Sequence, residues 1–395
     1  MEELNKPRIY SLDLLRGLVM IIMALDHTRD FFHFDAFAHD PLDLATTSPY
    51  LYFTRWITHF CAPVFVFLAG TSAYLQSFRR SKSELSIFLI KRGIWLMLME
   101  IFIVNLIVTF DIHYELTALQ VIWAIGISMV ILGVIINFPY KIIFALGLLI
   151  VFGHNSLDFI EANHTGAFGF WWDLLHRGNF AVHPLYGNHS FLIIYAFVPW
   201  SGLMMLGYCF GKLFNPSIGY EQRKKYLTRL GISCIAFFVV FRMFNNYGDP
   251  HKWSEQSTGL FTFFSFMNVH KYPPSLLYMC ATIGPAILFL AGFEKTKNRL
   301  SKIIAVYGRV PFLYYLLHFF LIHLLSSIVF FMKGHTYAEG MKGAFGIKFV
   351  LLNDGFHLPV VYLIWISVVV VLYPVCHWFS NYKMKHKEKW WLSYL

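Results

Sequence analysis

The sequence predicts an all-α fold, a polytopic transmembrane helix bundle of about ten helices with both termini cytoplasmic. Three observations lead there. Of 395 residues, 57% are hydrophobic and 14% charged, far more apolar than a soluble domain. Apolar runs long enough to span a bilayer recur from one end of the chain to the other. Lysine and arginine gather in alternate connecting segments, the asymmetry that sets membrane orientation.

The first ten residues, MEELNKPRIY, are mostly polar and show no small-residue cleavage signature, so the first helix is expected to double as an uncleaved signal anchor. Spanning segments are expected near residues 12–32, 56–78, 87–110, 117–136, 140–153, 191–213, 227–245, 275–293, 303–331 and 357–380. The fifth is short, and Pro311 is placed to kink the ninth. With the N-terminus inside, twenty-one basic residues fall in inner segments, among them Lys6, Arg8, Arg79, Arg80 and Arg92, against eight outside. That pattern accounts for the net charge of +10, and no nucleic-acid partner is needed to explain it. No polar stretch is long enough for a separate soluble domain, so residues 1–395 are expected to form one membrane-embedded domain. Cys61, Cys209, Cys234, Cys280 and Cys376 all lie in apolar runs, without disulfide or metal spacing.

The first helix carries the chemistry. In RGLVMIIMALDHTRD the nine apolar residues Gly17 to Leu25 separate Arg16 from Asp26, His27, Arg29 and Asp30. Nine residues cover roughly 14 Å, about half of the hydrocarbon core. Arg16 can snorkel to the headgroups, whereas the shorter carboxylates and imidazole need a partner or a cavity. His27 and Asp30 are three residues apart and Asp26 and Asp30 four, so the three share one side of the helix. A carboxylate beside an imidazole raises its basicity and fixes its tautomer, as a general base requires. Arg55 and His59 open the second helix and are expected level with His27 and Asp30. Glu100, Asn105, Arg242, Arg309 and His318 are further polar residues within helices, each taken singly as a helix-helix hydrogen bond. Histidine concentrates in the outer loops, and the stretch from His154 to Ser190 mixes aromatic, amide and carboxylate side chains suited to a sugar ring.

SLDLLRGLVMIIMALDH, followed by FCAPVFVFLAG, resembles the opening of the heparan-alpha-glucosaminide N-acetyltransferase catalytic-domain family of transmembrane acyltransferases. The likeness rests on Asp13, Arg16, Gly17 and Met23 and on the stretch from Pro63 to Gly70. It implies transfer of an acetyl group from cytosolic acetyl-CoA to a sugar on the far side of the membrane. It also implies an essential histidine in the loop after the first helix. That loop offers His33 and His39, with His39 closer by its position before the Pro63 block, while His27 stands where some relatives carry an amide. No segment matches the large lumenal domain of the animal enzyme, so heparan itself is not the expected acceptor.

The expectation is therefore an acetyl-CoA-dependent acyltransferase in a bacterial inner membrane, acting on an amine or hydroxyl of a cell-envelope saccharide. His39 or His27, oriented by Asp30 or Asp26, is the base. Arg55, His59 and His33 hold the acceptor, and Arg16, Arg79, Arg80, Arg92 and Arg309 hold the donor phosphates. No metal or haem is expected, and a homodimer is one admissible assembly. The rival expectation is a proton-coupled transporter of a small polar or sugar-like solute using the same charged groups as a relay.

Overall fold

The computed structural model describes residues 9–394. The basic residues Lys6 and Arg8 and most of the polar leader lie outside them. Thirteen helices of eight or more residues follow in order: α1 (Tyr10–Phe32), α2 (Pro49–Trp56), α3 (Cys61–Gln76), α4 (Lys82–Met99), α5 (Val121–Ile135), α6 (Tyr140–Gly153), α7 (Phe197–Phe210), α8 (Tyr220–Phe244), α9 (Gly259–Met267), α10 (Leu276–Phe293), α11 (Arg299–Arg309), α12 (Pro311–Met332) and α13 (Leu358–Lys385). A 3-10 turn, Ile57–Phe60, joins α2 to α3 two residues before Pro63, and α4 runs on through a π-helical turn, Glu100–Val104. Proline cannot donate a backbone hydrogen bond, and the expected ninth helix is split at Val310 with Pro311 opening α12.

Among the described residues six helices are long and apolar enough to cross a membrane: Pro49–Gln76, Tyr140–Ala162, α8, α10, α12 and α13. The other four expected spans are helical too, but length and composition do not mark them. Charges Asp13, Arg16, Asp26, Arg29 and Asp30 interrupt α1, and α5 and α7 are only 15 and 14 residues long.

The fold also departs from all-α. Strand β1 (Leu116–Leu119) lies parallel to β3 (His189–Ile193), which pairs antiparallel with β2 (Ala181–Tyr186), in the order β1-β3-β2. The apolar runs expected near 117–136 and 191–213 thus begin as strands and become helices after Gln120 and Tyr195. Polar faces on short strands leave too weak an alternation to be read against the helical signal that follows.

Glycine contacts fix how α1 and α3 meet their neighbours. A Cβ on Gly17 would lie 2.0 Å from the Ile304 carbonyl oxygen, and one on Gly308 would lie 1.9 Å from that of Asp13, so α1 and α11 touch backbone to backbone. Gly70 and Gly207 do the same for α3 and α7, and Thr71 donates to the Gly207 carbonyl at 3.0 Å. Small residues at such crossings let packing replace the hydrophobic drive that lipid removes. Tyr10 donates to Ser301 on α11, while Tyr394 stacks edge-on to Trp95 of α4 at 5.6 Å.

Gly308→Ala should force α1 and α11 apart. Overpacking of this kind costs about 1–3 kcal/mol, so the variant is expected to melt earlier in detergent, whereas Gly166→Ala, with open space around it, tests only the strain of its positive φ.

Candidate functional site

The end of α1 that holds Asp26 to Asp30 forms a buried ionic cluster. Asp26 Oδ2 accepts from Arg55 of α2 at 3.0 Å, and its Oδ1 lies 3.0 Å from Arg29. Arg29 also pairs with Asp30, and Arg55 donates to Thr58 Oγ1 at 2.9 Å. One carboxylate shared by two guanidinium groups is the arrangement that makes buried charge tolerable. His27 stands beside it with Nδ1 3.9 Å from Asp30 Oδ2, its side chain 20% exposed. His59 is buried, its ring 5.3 Å from Tyr278, whose hydroxyl donates to the His59 carbonyl at 2.9 Å. The sequence places Arg55 and His59 level with His27 and Asp30; the structure pairs Arg55 with Asp26 instead.

Two residues that the sequence did not single out join this cluster. Lys271, in the connection between α9 and α10, acts electrostatically on Asp26, His27 and His59. Tyr272 lies 5.2 Å, ring to ring, from Tyr195, which precedes α7. Burial alone would raise the Tyr272 phenol, but the Lys271 and Arg55 charges and hydrogen bonds from Lys271 and Tyr195 hold it below its ordinary value. Tyr195 itself is buried. Residues about 245 positions from Asp26 in sequence, in a loop without periodicity, give no local signal that they will meet it.

The loop after α1 takes a different course from the cluster. His33 is buried; its Nδ1 accepts from the Asp35 N–H at 3.3 Å, and its backbone pairs with Phe356. Burial, then the Arg29 charge, holds the His33 imidazole below its ordinary pKa and so favours its neutral form. His39 is exposed, with Nδ1 2.7 Å from the Asp35 carboxylate. Asp35 therefore organises both loop histidines, and the partner of His39 is Asp35, not Asp26 or Asp30.

The opposite end of α1 is basic. Arg16 donates to the Gly308 carbonyl at 3.3 Å and to Ser72 Oγ at 3.0 Å, and lies 3.3 Å from Asp13. Half-buried Arg92 of α4 is close enough to feel both Arg16 and Tyr394. Arg309 follows Gly308 directly and has its Nε buried without a hydrogen-bond partner. Arg80 lies 4.2 Å above the Phe88 ring, and Arg79 is exposed on the turn after α3. Arg16 and Arg92 thus lie within electrostatic reach of each other, and Arg309 adjoins the Gly308 carbonyl that Arg16 binds.

Asn105 and Arg242 hold backbone inside the bundle. Asn105 donates to the Glu100 and Ala118 carbonyls and accepts from the Ala118 N–H at 2.7 Å. Glu100 is fully buried at the start of the π-helical turn, with neither carboxylate oxygen hydrogen-bonded. Arg242 ties α8 to the end of α9 by donating to the carbonyls of Ser265, Phe266 and Asn268, and to the intervening loop at the His251 carbonyl. Among the described residues no group of three or more His, Cys, Asp or Glu is arranged to hold a metal ion.

The family model described as heparan-alpha-glucosaminide N-acetyltransferase, catalytic, matches residues 8–241. The match takes in Arg16, the Asp26 to Asp30 group, His33, His39, Arg55, His59 and Arg92, and stops before Lys271, Arg309 and His318. No curated protein matches the chain.

Two outcomes follow from the cluster. Asp26→Asn leaves Arg29 and Arg55 without their shared counter-charge. Breaking a buried pair costs about 3–5 kcal/mol, so this variant should melt well below the unsubstituted protein. Ultraviolet titration of the folded protein should show a phenol ionising below the ordinary 10.0 that disappears in Tyr272→Phe.

Proposed function

The chain belongs to the heparan-alpha-glucosaminide N-acetyltransferase catalytic family, and on that premise we propose that it acetylates a saccharide across a bacterial cytoplasmic membrane with acetyl-CoA as donor. An integral membrane acyltransferase is the common ground of the family and the six apolar helices. The observation that carries the finer reading is the division of α1. A basic cluster and a carboxylate-histidine cluster occupy its two ends, with the apolar stretch from Gly17 to Leu25 between them.

The basic end faces the cytoplasm in this reading. Arg16, Arg92 and Arg309 receive the pyrophosphate and 3′-phosphate of the donor, with Arg79 and Arg80 adding charge at the entrance. The acyl arm follows α1 toward its other end, about 16 Å from Arg16 to His27 at the helical rise. There the acceptor's amine or hydroxyl gives up a proton as it attacks the thioester carbon. His27, beside Asp30, is the base that the ionic cluster favours, because it is accessible and adjoins a carboxylate. His39, paired with Asp35, is the alternative base on the loop. Arg55, His59 and His33 line the acceptor side, and the aromatic outer loop between His154 and Ser190 supplies planes for a pyranose ring.

Acetyl transfer from labelled acetyl-CoA to amino sugars, measured with the protein in liposomes, tests this reading. His27→Ala should lower the rate about 100-fold or more, and a comparable loss confined to His39→Ala would move the base to the loop. Full transfer by both variants would contradict the assignment.

A further inference from the structure

Beyond the matched stretch, α12 brings a second imidazole to the same depth as His27. Arg16 bonds to the Gly308 carbonyl, so that point ties α1 to the α11–α12 pair. Eleven residues further along α1 is His27, and ten residues past Gly308 is His318. Their rings lie 5.4 Å apart with 37° between the planes, and Phe319 covers His27 at 3.9 Å. Higher up, Phe31 and His323 repeat the pairing at 4.9 Å, so the two helices run side by side.

The two histidines of α12 are used differently. His323 spends both nitrogens on carbonyl oxygens, those of Ile107 at 3.0 Å and Lys348 at 2.8 Å. His318 is fully buried and spends only one, with Nδ1 2.9 Å from the Tyr314 carbonyl. A carbonyl can only accept, so Nδ1 carries the hydrogen and Nε2 is left as a bare lone pair. That Nε2 is buried with no hydrogen-bond partner. A buried acceptor left unmade costs about 1–3 kcal/mol, and Tyr314, Tyr315 and Phe319 surround the imidazole with rings.

We propose that His318 is a second catalytic base, whose Nε2 takes a proton from the acceptor nitrogen at the moment of acyl transfer. The inference rests on the acyltransferase reading above. An amine acceptor arrives as R–NH3⁺ and must lose two protons on its way to an amide, and one imidazole serves each loss. His27, in contact with solvent and beside Asp30, takes the first and releases it to the outside. The amine lone pair then attacks the thioester carbon, forming the C–N bond and placing negative charge on the carbonyl oxygen. His318 Nε2 takes the second N–H proton. The carbonyl re-forms, the C–S bond breaks with its electron pair on sulfur, and the proton on Nε2 passes to the departing thiolate. The products are amide, free thiol and one proton on the far side, with both imidazoles neutral again.

His318→Asn separates this role from packing. The asparagine amide occupies the position of Nδ1 and keeps a donor for the Tyr314 carbonyl while deleting Nε2. Thiol release from acetyl-CoA is followed with full-length protein in detergent, using glucosamine and hydroxylamine as acceptors. His318→Asn should lower kcat about 100-fold or more with KM for acetyl-CoA and melting temperature little changed. His318→Ala should regain part of its kcat when imidazole is added, which a packing defect would not do. An unchanged kcat in His318→Asn, or a loss that imidazole leaves untouched in His318→Ala, would overturn the role of His318 alone. Absence of thiol release by the unsubstituted protein with either acceptor would overturn the acyltransferase reading and this inference with it.

Discussion

Charge placed inside an apolar bundle must find counter-charge there, and the rest of this structure is arranged around that requirement at Asp26. An ionised side chain at the centre of a membrane helix costs on the order of 3 kcal/mol on insertion scales, and α1 carries three within five residues, Asp26, Arg29 and Asp30. Two guanidinium groups from two helices close on one carboxylate, and this binds α1 to α2 at the level where His27, His59, Lys271 and Tyr272 gather. The network therefore holds the helices and assembles the site in one set of contacts. At the other end of α1 the same requirement is met differently, since Arg16 is long enough to reach Asp13, Ser72 and a backbone carbonyl near the helix start.

Between the two charged ends, shape takes over from charge. The crossing of α1 with α11 at Gly17 and Gly308 is so close that neither helix tolerates a side chain there. It sets the level of α11 and α12 against α1, and through that level it brings His318 beside His27. Arg16 and Gly17 are adjacent in sequence because the same helical turn makes both contacts, one through its side chain and one through its bare backbone. Pro311, by ending one hydrogen-bond ladder and starting another, lets α12 leave that close crossing and follow α1 upward.

Much of this was legible in the sequence, and the reasons for the rest are physical. Each expected apolar run contains a helix, and the polar groups of α1 stood out because a short carboxylate cannot escape a membrane by snorkelling. That Arg55 would come near the charged end of α1 could be read from two helices joined by a loop, but its partner there, Asp26, was not the residue expected. Lys271 and Tyr272 could not be read this way, since they reach the cluster from a connection about 245 residues further along the chain. The three-stranded sheet was hidden because β1 and β3 lead straight into helices α5 and α7. His39 illustrates the opposite limit. The family resemblance set it among the candidate bases, yet the fold pairs it with Asp35 on an exposed loop, along a path that the sequence does not encode.

The central claim is that the basic end of α1 is where an acyl-CoA docks. Calorimetric titration of the protein in detergent with acetyl-CoA, with free CoA and dephospho-CoA as comparisons, tests it most directly. Binding that weakens about tenfold or more in Arg309→Gln, the loss of one charge-assisted contact of about 1.5–3 kcal/mol, and that weakens again when the 3′-phosphate is absent, is the predicted result. No heat of binding at millimolar acetyl-CoA, or binding indifferent to both Arg309 and the phosphate, would contradict it.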